Sequence, residues 1–389
     1  MEAALFAKML SDKNITDLKK LQYKYPDADM KEFVSLLKTS IFKQVPLKDF
    51  KGAPLVYMES VAQVRMSAVK TLMLPRIGKE KYGLKAMEEE IASTLTIENI
   101  DFSRDSVQKI LRGFAPSDKS EERIFGMKKG LEFISDPDNG ITEENIFRLY
   151  QMTVGDFLEV EDQLLRDNYY RHDSVYIMGQ TVEHTGLPHQ MLSEYVAELV
   201  WFINEEKEMN ELLKAAVIHF YIGYIHPYFD GNGRMARLIH LWYLVQQGYP
   251  STLFVPFSSY VEKSRKKYYD AYTLVEQNEK ISGILDLTPF LVYFIENIYH
   301  DLQSGQPKLQ TVEGFTDLLE AGQITEKERD LWNFVLSAYG PEEFSTKQLE
   351  KDFGDAAYGT IRSFVIKFEQ MGLLDKISYG KRVKYLVKT

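Results

Sequence analysis

The feature that most limits what this chain can become is a polar insert between two apolar helical runs. ELLKAAVIHFYIGYI (211–225) places Leu212, Leu213, Ala216, Val217 and Phe220 on one face at helical spacing. Beyond the insert, Met235, Leu238, Ile239, Trp242 and Val245 do the same, and that run stops at Gly248 with Pro250 after it. Both faces must be buried. The stretch that joins them, IHPYFDGNGRMARL (225–238), carries one His, one Asp, one Asn, two Gly and two Arg.

Gly231 and Gly233 permit backbone conformations that a side chain would forbid. With Asn232 they can turn several N–H groups toward one point at a helix N-terminus, where the dipole favours an anion. Arg234 and Arg237 are three residues apart and leave the same side of that helix, so two guanidiniums can grip a polyphosphate. Asp230 is a hard oxygen ligand beside it, and one carboxylate plus phosphate oxygens is a usual way to hold Mg²⁺. His226, with an ordinary pKa of roughly 6.5, suits a general base for a hydroxyl. The pattern is that of a nucleotide-phosphate site with a base at one end.

The rest of the chain sets the context. Its 389 residues exceed one small core, so two or three domains are expected. The hydrophobic fraction of 44% and charged fraction of 27% are those of an ordinary globular protein, and 13% aromatic content argues against disorder. Without cysteine there are neither disulfides nor thiolate metal sites. MEAALFAKMLSDKN is a poor signal peptide, and no apolar run is long enough for a bilayer, so a cytoplasmic protein without membrane contact is expected. A net charge of −10 opposes nucleic-acid binding by the surface as a whole.

Helical periodicity dominates elsewhere. Residues 1–50 read as short helices broken by Pro26 and Pro46, and 56–74 as a helix ended by Pro75. LKAMEEEIASTLTIENI (84–100) reads as a helix with an acidic solvent face, and 120–135 as another, with Thr142 a cap for the next. Val175, Ile177 and a turn at Gly179 suggest a short hairpin within 169–182. SGQPKLQ (304–310) looks like a linker. Three helical runs and two short strands around Tyr379-Gly380 then spell a winged helix-turn-helix. His219 and His240 lie within helices and read as packed residues; no His-Glu-x-x-His spacing supports zinc.

HPYFDGNGRMAR resembles the Fic-domain signature His-Pro-Phe-x-(Asp/Glu)-Gly-Asn-Gly-Arg-x-x-Arg, with Tyr228 where Phe is usual. The resemblance covers roughly 120–300. It implies a mainly α fold, a Fic-type helical bundle with a short β-hairpin flap, here with the C-terminal winged helix. It also implies transfer of AMP from Mg²⁺-bound ATP to a Ser, Thr or Tyr hydroxyl of a target protein. His226 would be the base and Asp230 the Mg²⁺ ligand. Asn232 with the Gly231 and Gly233 amides would face the α-phosphate, and Arg234 and Arg237 the β- and γ-phosphates. Val175, Tyr176 and Ile177 would align the target segment by strand pairing. A later helix, near Tyr268 and Tyr269, would line the adenine pocket. Gly233 disfavours the phosphate-transferring branch, which has Lys there.

Thr94-Leu95-Thr96-Ile97-Glu98-Asn99 resembles the family's inhibitory motif (Ser/Thr)-x-x-x-Glu-(Gly/Asn). Glu98 paired with Arg237 would occupy the guanidinium meant for the γ-phosphate. The expected organisation is an N-terminal region over 1–119 carrying that motif at 94–99, a Fic catalytic domain over 120–303, a linker over 304–325 and a winged helix over 326–389. Arg362, Lys367, Lys381, Arg382 and Lys384 make DNA a candidate partner of the last, and a homodimer is a further expectation. The competing reading is a DNA-associated regulator whose Fic core senses nucleotide or removes AMP.

Overall fold

The computed structural model describes residues 1–65, 72, 84–159, 162–178, 182–249, 252–253, 255–304, 322–339, 343–380 and 382–388. The N-terminal helices are α1 (Ala3–Leu10), α2 (Leu18–Lys24) and α3 (Met30–Ser40). Asp17 and Asp29 start the last two by accepting the N–H groups of Lys20 and of Lys31 and Glu32.

The next elements correct the sequence reading. Residues 42–58 form an antiparallel pair, β1 (Phe42–Lys48) and β2 (Pro54–Met58), where helix was expected. Pro46 falls at the register irregularity between Val45 and Lys48, the kind of place a strand tolerates a residue without N–H. Leu55, Val56, Tyr57 and Met58 are all buried. A continuous apolar run of that length does not separate strand from helix by periodicity. What decides it is distant: Val56 N donates to Leu285 O at 3.1 Å and Leu287 N to Val56 O at 2.8 Å. Residues 66–71 and 73–74 of that expected helix lie outside the described residues.

The bundle follows: α4 (Leu84–Ile97), α5 (Arg104–Leu111), α6 (Lys119–Ile134) and α7 (Glu143–Thr153). Thr142 caps α7 through Asn145 N at 3.1 Å, as its position suggests. The face of α4 read as solvated is not: Glu88 and Glu90 are buried. Glu90 accepts Ser258 N at 2.8 Å and also the Ser258 hydroxyl, and its carboxyl is held above the usual range by burial. β3 (Tyr176–Met178) and β4 (Val182–Thr185) make a hairpin, followed by α8 (Leu192–Glu205), α9 (Glu211–Ile225) and α10 (Asn232–Gln246). The turn at Gly179 lies outside the described residues.

Helices α9 and α10 are buried around almost their whole circumference and pack on each other at the centre of the core. α11 (Phe257–Lys263) covers α4, while α12 (Arg265–Ser282) joins α13 (Thr288–Phe294) to α2 and α3. A π-turn, Ile295–Tyr299, leads to α14 (Asp301–Ser304). Beyond it, α15 (Glu326–Ala338), α16 (Thr346–Phe353), α17 (Tyr358–Gln370) and the antiparallel pair β5 (Leu374–Tyr379) and β6 (Arg382–Val387) enclose a separate core around Trp332, Phe344 and Phe364. The fold is mainly α, and among the described residues the three strand pairs are antiparallel. No helix among the described residues is long and apolar enough to cross a membrane.

Candidate functional site

The chemistry collects where α9 ends and α10 begins. His226 ends α9 in the left-handed region, φ 53° and ψ 65°, sparsely populated for a residue with a side chain. Its Nδ1 lies 3.2 Å from the Gly223 carbonyl. A carbonyl only accepts, so Nδ1 carries the proton and Nε2 keeps its lone pair. Burial pushes the imidazole down to about 4; the Gly223 carbonyl opposes this, while His184 and Arg171 reinforce it. The ring is neutral at neutral pH, as a base must be.

The loop is shaped from within. Tyr228 is buried and stacked on Tyr150, ring centroids 3.7 Å apart at 8°. Asn232 Oδ1 accepts Tyr228 N, and its Nδ2 donates to Tyr228 O, both at 2.9 Å. The Asn232 side chain therefore closes the loop on itself instead of pointing to an incoming phosphate; its main chain opens α10. Gly231 has φ 83°, and a Cβ there would stand 2.6 Å from both methyls of Val154.

Two guanidiniums flank the first turn of α10, both buried. Arg234 Nη2 donates to Asp230 Oδ2 at 2.7 Å, and its Nε has no partner among the described residues. Arg237 Nε donates to Thr94 Oγ1 at 2.8 Å and Nη2 to Glu98 Oε1 at 2.5 Å, while Nη1 has no partner among the described residues. Burial works against the charge on Arg237, but Glu98, Tyr268 and Glu90 outweigh it and its pKa lies above the usual value. The first N–H groups of a helix precede its own hydrogen-bond ladder. Unsatisfied buried donors beside a helix N-terminus suit a polyanion, since each is costly left alone. Asp230 is half-exposed at the rim and is the one acid of the loop. Among the described residues no three acidic, His or Cys side chains gather as a metal cage.

Glu98 reaches Arg237 because α4 ends where it does. The left-handed φ of Asn99, 54°, breaks the helix. Asn99 N donates to Thr96 O at 3.1 Å and Ile100 N to Leu95 O at 3.0 Å. These are the two bonds of a Schellman ending, which explains the Asn (or Gly) after the Glu. Arg265 donates from Nη1 and Nη2 to the side-chain Oδ1 of Asn99, each at 3.1 Å.

The hairpin stands next to His226. Strand pairing starts at Tyr176, opposite Thr185, with Ile177 opposite His184; Val175 precedes it and accepts Gly186 N at 3.2 Å. Tyr176 is exposed. His184 lies between Glu276 Oε1, 2.6 Å from its Nδ1, and Tyr224 O, 2.7 Å from its Nε2, with its ring centroid 6.4 Å from that of His226.

Three contributors were not foreseen: Arg171, His184 and Arg265. Each is one polar residue in a polar segment and has at least one partner 40 or more residues away in sequence (Arg171 with His226, His184 with Tyr224 and Glu276, Arg265 with Asn99), so no local pattern marks them. Tyr268 is buried and bonds His219 Nε2 at 2.8 Å, whereas Tyr269 is half-exposed. His219 and His240 are packed in the core, and burial holds both well below the usual histidine value. In the C-terminal unit, Lys367 pairs with Glu328 at 2.7 Å and Lys384 with Glu343 at 3.1 Å; Arg362 and Arg382 are exposed, and Lys381 lies outside the described residues.

Residues 140–244 match the model of the Fic/DOC family. A protein adenylyltransferase fic-1 of Caenorhabditis briggsae is 24% identical over 252 residues, 62% of this chain and 44% of its own length. A protein adenylyltransferase Fic of Culex quinquefasciatus is 25% identical over 229 residues, 55% of this chain and 41% of its own. The chain thus spans less than half the length of these relatives. A crystal structure of a Fic family protein from Desulfovibrio desulfuricans is similar at a TM-score of 0.47 and 17% identity, over 78% of this chain and 86% of that one.

Proposed function

We propose, from the match of residues 140–244 to the Fic/DOC family, that this chain is a protein adenylyltransferase that moves AMP from ATP to a Ser, Thr or Tyr hydroxyl of a target protein and is held back by Glu98. The observation that carries the reading is the pair of buried guanidiniums with unused donors, Arg234 Nε and Arg237 Nη1, at the start of the helix that follows His226.

His226 Nε2 accepts the proton of the target hydroxyl. The freed oxygen forms a bond to the α-phosphorus, the bond from that phosphorus to the bridging oxygen breaks, and pyrophosphate leaves. The first-turn amides of α10 are preorganised donors for the α-phosphate, and Arg234 and Arg237 hold the outer phosphates. Asp230 would hold Mg²⁺, whose role is to neutralise phosphate charge. One rim carboxylate with no acidic cage fits an ion held mostly by phosphate oxygens and water. The Val175, Tyr176 and Ile177 edge would receive the target segment as an added strand. With Glu98 on Arg237, a γ-phosphate loses its cation and the α-phosphate is misaligned for in-line attack, which is costly.

The C-terminal unit fits a winged helix. Of the described cations expected on its recognition helix and wing, Lys367 and Lys384 are paired with acids and Arg362 and Arg382 are exposed, which supports a docking role over sequence-specific reading of DNA.

The test uses Glu98→Gly with Mg²⁺ and ATP labelled at the α-phosphate. The reading expects covalent label on the chain itself, absent with γ-labelled ATP and absent in Glu98→Gly/His226→Ala. Nucleotide that binds but is never covalent would support a sensor instead.

A further inference from the structure

We propose that Arg171 is a positioning residue that locks the hairpin to the base, so that a target segment added to the hairpin arrives in register with His226; this rests on the adenylyltransferase reading. Arg171 is buried, and among the described residues its guanidinium donates to no carboxylate. Its guanidinium donates to three main-chain carbonyls from three segments: Nε to His226 O at 2.8 Å, Nη1 to Asp173 O at 2.6 Å, and Nη2 to Leu187 O. Asp173 leads into β3 and Leu187 leads out of β4, so one side chain grips both stems of the hairpin and the peptide of the base.

The main chain repeats the connection. Arg171 N donates to Pro227 O at 3.0 Å and Leu187 N to Ile225 O at 3.1 Å. Space around the junction is fully used: a Cβ at Gly186 would stand 2.8 Å from Arg171 Nη2 and 3.1 Å from His226 Cβ. A buried guanidinium with no directly paired carboxylate is costly unless its N–H groups are bonded; burial pushes its pKa down to about 10, against the opposing charge of Asp173. Lysine could not meet three carbonyls in a fixed plane. The arrangement is one that stability alone does not call for. It does hold the unusual left-handed conformation of His226 and the hairpin in a single geometry.

The phosphate-holding groups, Arg234 and Arg237, bond to Asp230, Thr94 and Glu98 and not to this junction. Damage at Arg171 should therefore separate transfer from nucleotide binding. The charged and titratable groups around His226 are His184 from β4, Arg171 and Glu98, and removing the cation changes one of the three.

The test compares Arg171→Lys and Arg171→Met in the full chain carrying Glu98→Gly. Circular dichroism checks the fold, and the lysine variant keeps the test open where the methionine variant does not fold. The expected result is an ATP Kd within about twofold of the parent and a self-labelling rate lower by about 10²-fold, the scale of an ångström-level misplacement. Unchanged labelling in a folded variant, or ATP affinity falling in step with the rate, would overturn the proposal. A parent that transfers no AMP at all would be a failure of the function reading. The junction is then judged by NMR titration of the His226 ring in the nucleotide-free chain, which should move upward in Arg171→Met (or, if that chain is unfolded, change its ring shifts in Arg171→Lys). An unchanged His226 signal would overturn it.

Discussion

The carboxylate of Glu98 occupies the space that a side chain at Gly233 would need: a Cβ built there would overlap Glu98 Oε1 and stand 3.2 Å from Arg237 Nη1. Gly233, in the proposed phosphate loop, is thus also the notch that admits the acid. Gly233→Ala should push the Glu98 side chain off Arg237, since a carboxylate end can move where backbone cannot. Label incorporation should rise in the wild-type background and not in Glu98→Gly, where there is nothing left to displace. A double-mutant cycle of labelling rates measures this; additive effects would show that position 233 and Glu98 do not meet.

Removing the acid leaves a charge behind. Arg237 is buried, and breaking a buried pair by deleting one partner is strongly destabilising, by about 3 kcal/mol. Glu98 is partly exposed, with 23% of its side chain accessible, so a loss of about 2 kcal/mol is expected for Glu98→Gly in urea unfolding. Mg²⁺-ATP should restore more stability to this variant than to wild type, because the ligand supplies the missing anion. Equal ligand gains in both chains would contradict the competition.

In the proposed restraint of Arg237, Thr94 is the second half. Its hydroxyl takes Arg237 Nε at 2.8 Å in a buried setting, and Thr94→Val keeps the shape while leaving that donor unpaired, at about 1–3 kcal/mol. Self-labelling should rise, to a level below that of Glu98→Gly. A Thr94→Val chain as quiet as wild type would remove the hydroxyl from the mechanism.

The pH dependence follows from His226. Its folded pKa, about 4, is below the ordinary 6.5 because of burial. The unfolded chain therefore binds the proton first as pH falls. The stability this group contributes is full above about pH 6.5 and is lost as pH drops toward 4. The kcat/KM of Glu98→Gly should stay flat from pH 8 down through 6 and fall only on approaching pH 4. A profile that follows a group near 6.5 would mean that the base is not this buried imidazole.

What could be read from the sequence was whatever lies within one helical turn or one loop. His226 to Arg237 is continuous, so its glycines, cations and base stand together in sequence as they do in space. Glu98 was legible only as a spacing pattern, Thr94 to Asn99, whose physical content is the Schellman ending at Asn99. Where neighbours are distant, the reading failed. Glu90 looked solvated because its partner, Ser258, is 168 residues away. Residues 56–58 looked helical because burial on both faces erases the period of two, and the bond from Val56 to Leu285 is not a local property. Arg171 carried no signal at all, as a cation between Tyr170 and His172 in a polar loop. The Asn232 side chain has both amide atoms bonded to the Tyr228 main chain, a closure of the loop that residue type and spacing do not reveal.

The most direct measurement is the intact mass of Glu98→Gly after incubation with Mg²⁺ and each nucleoside triphosphate in turn. The account predicts a covalent gain equal to one AMP with ATP, abolished by His226→Ala and by Arg237→Ala. A chain that retains nucleotide under native conditions yet shows no added mass after denaturation, with any triphosphate, would contradict it.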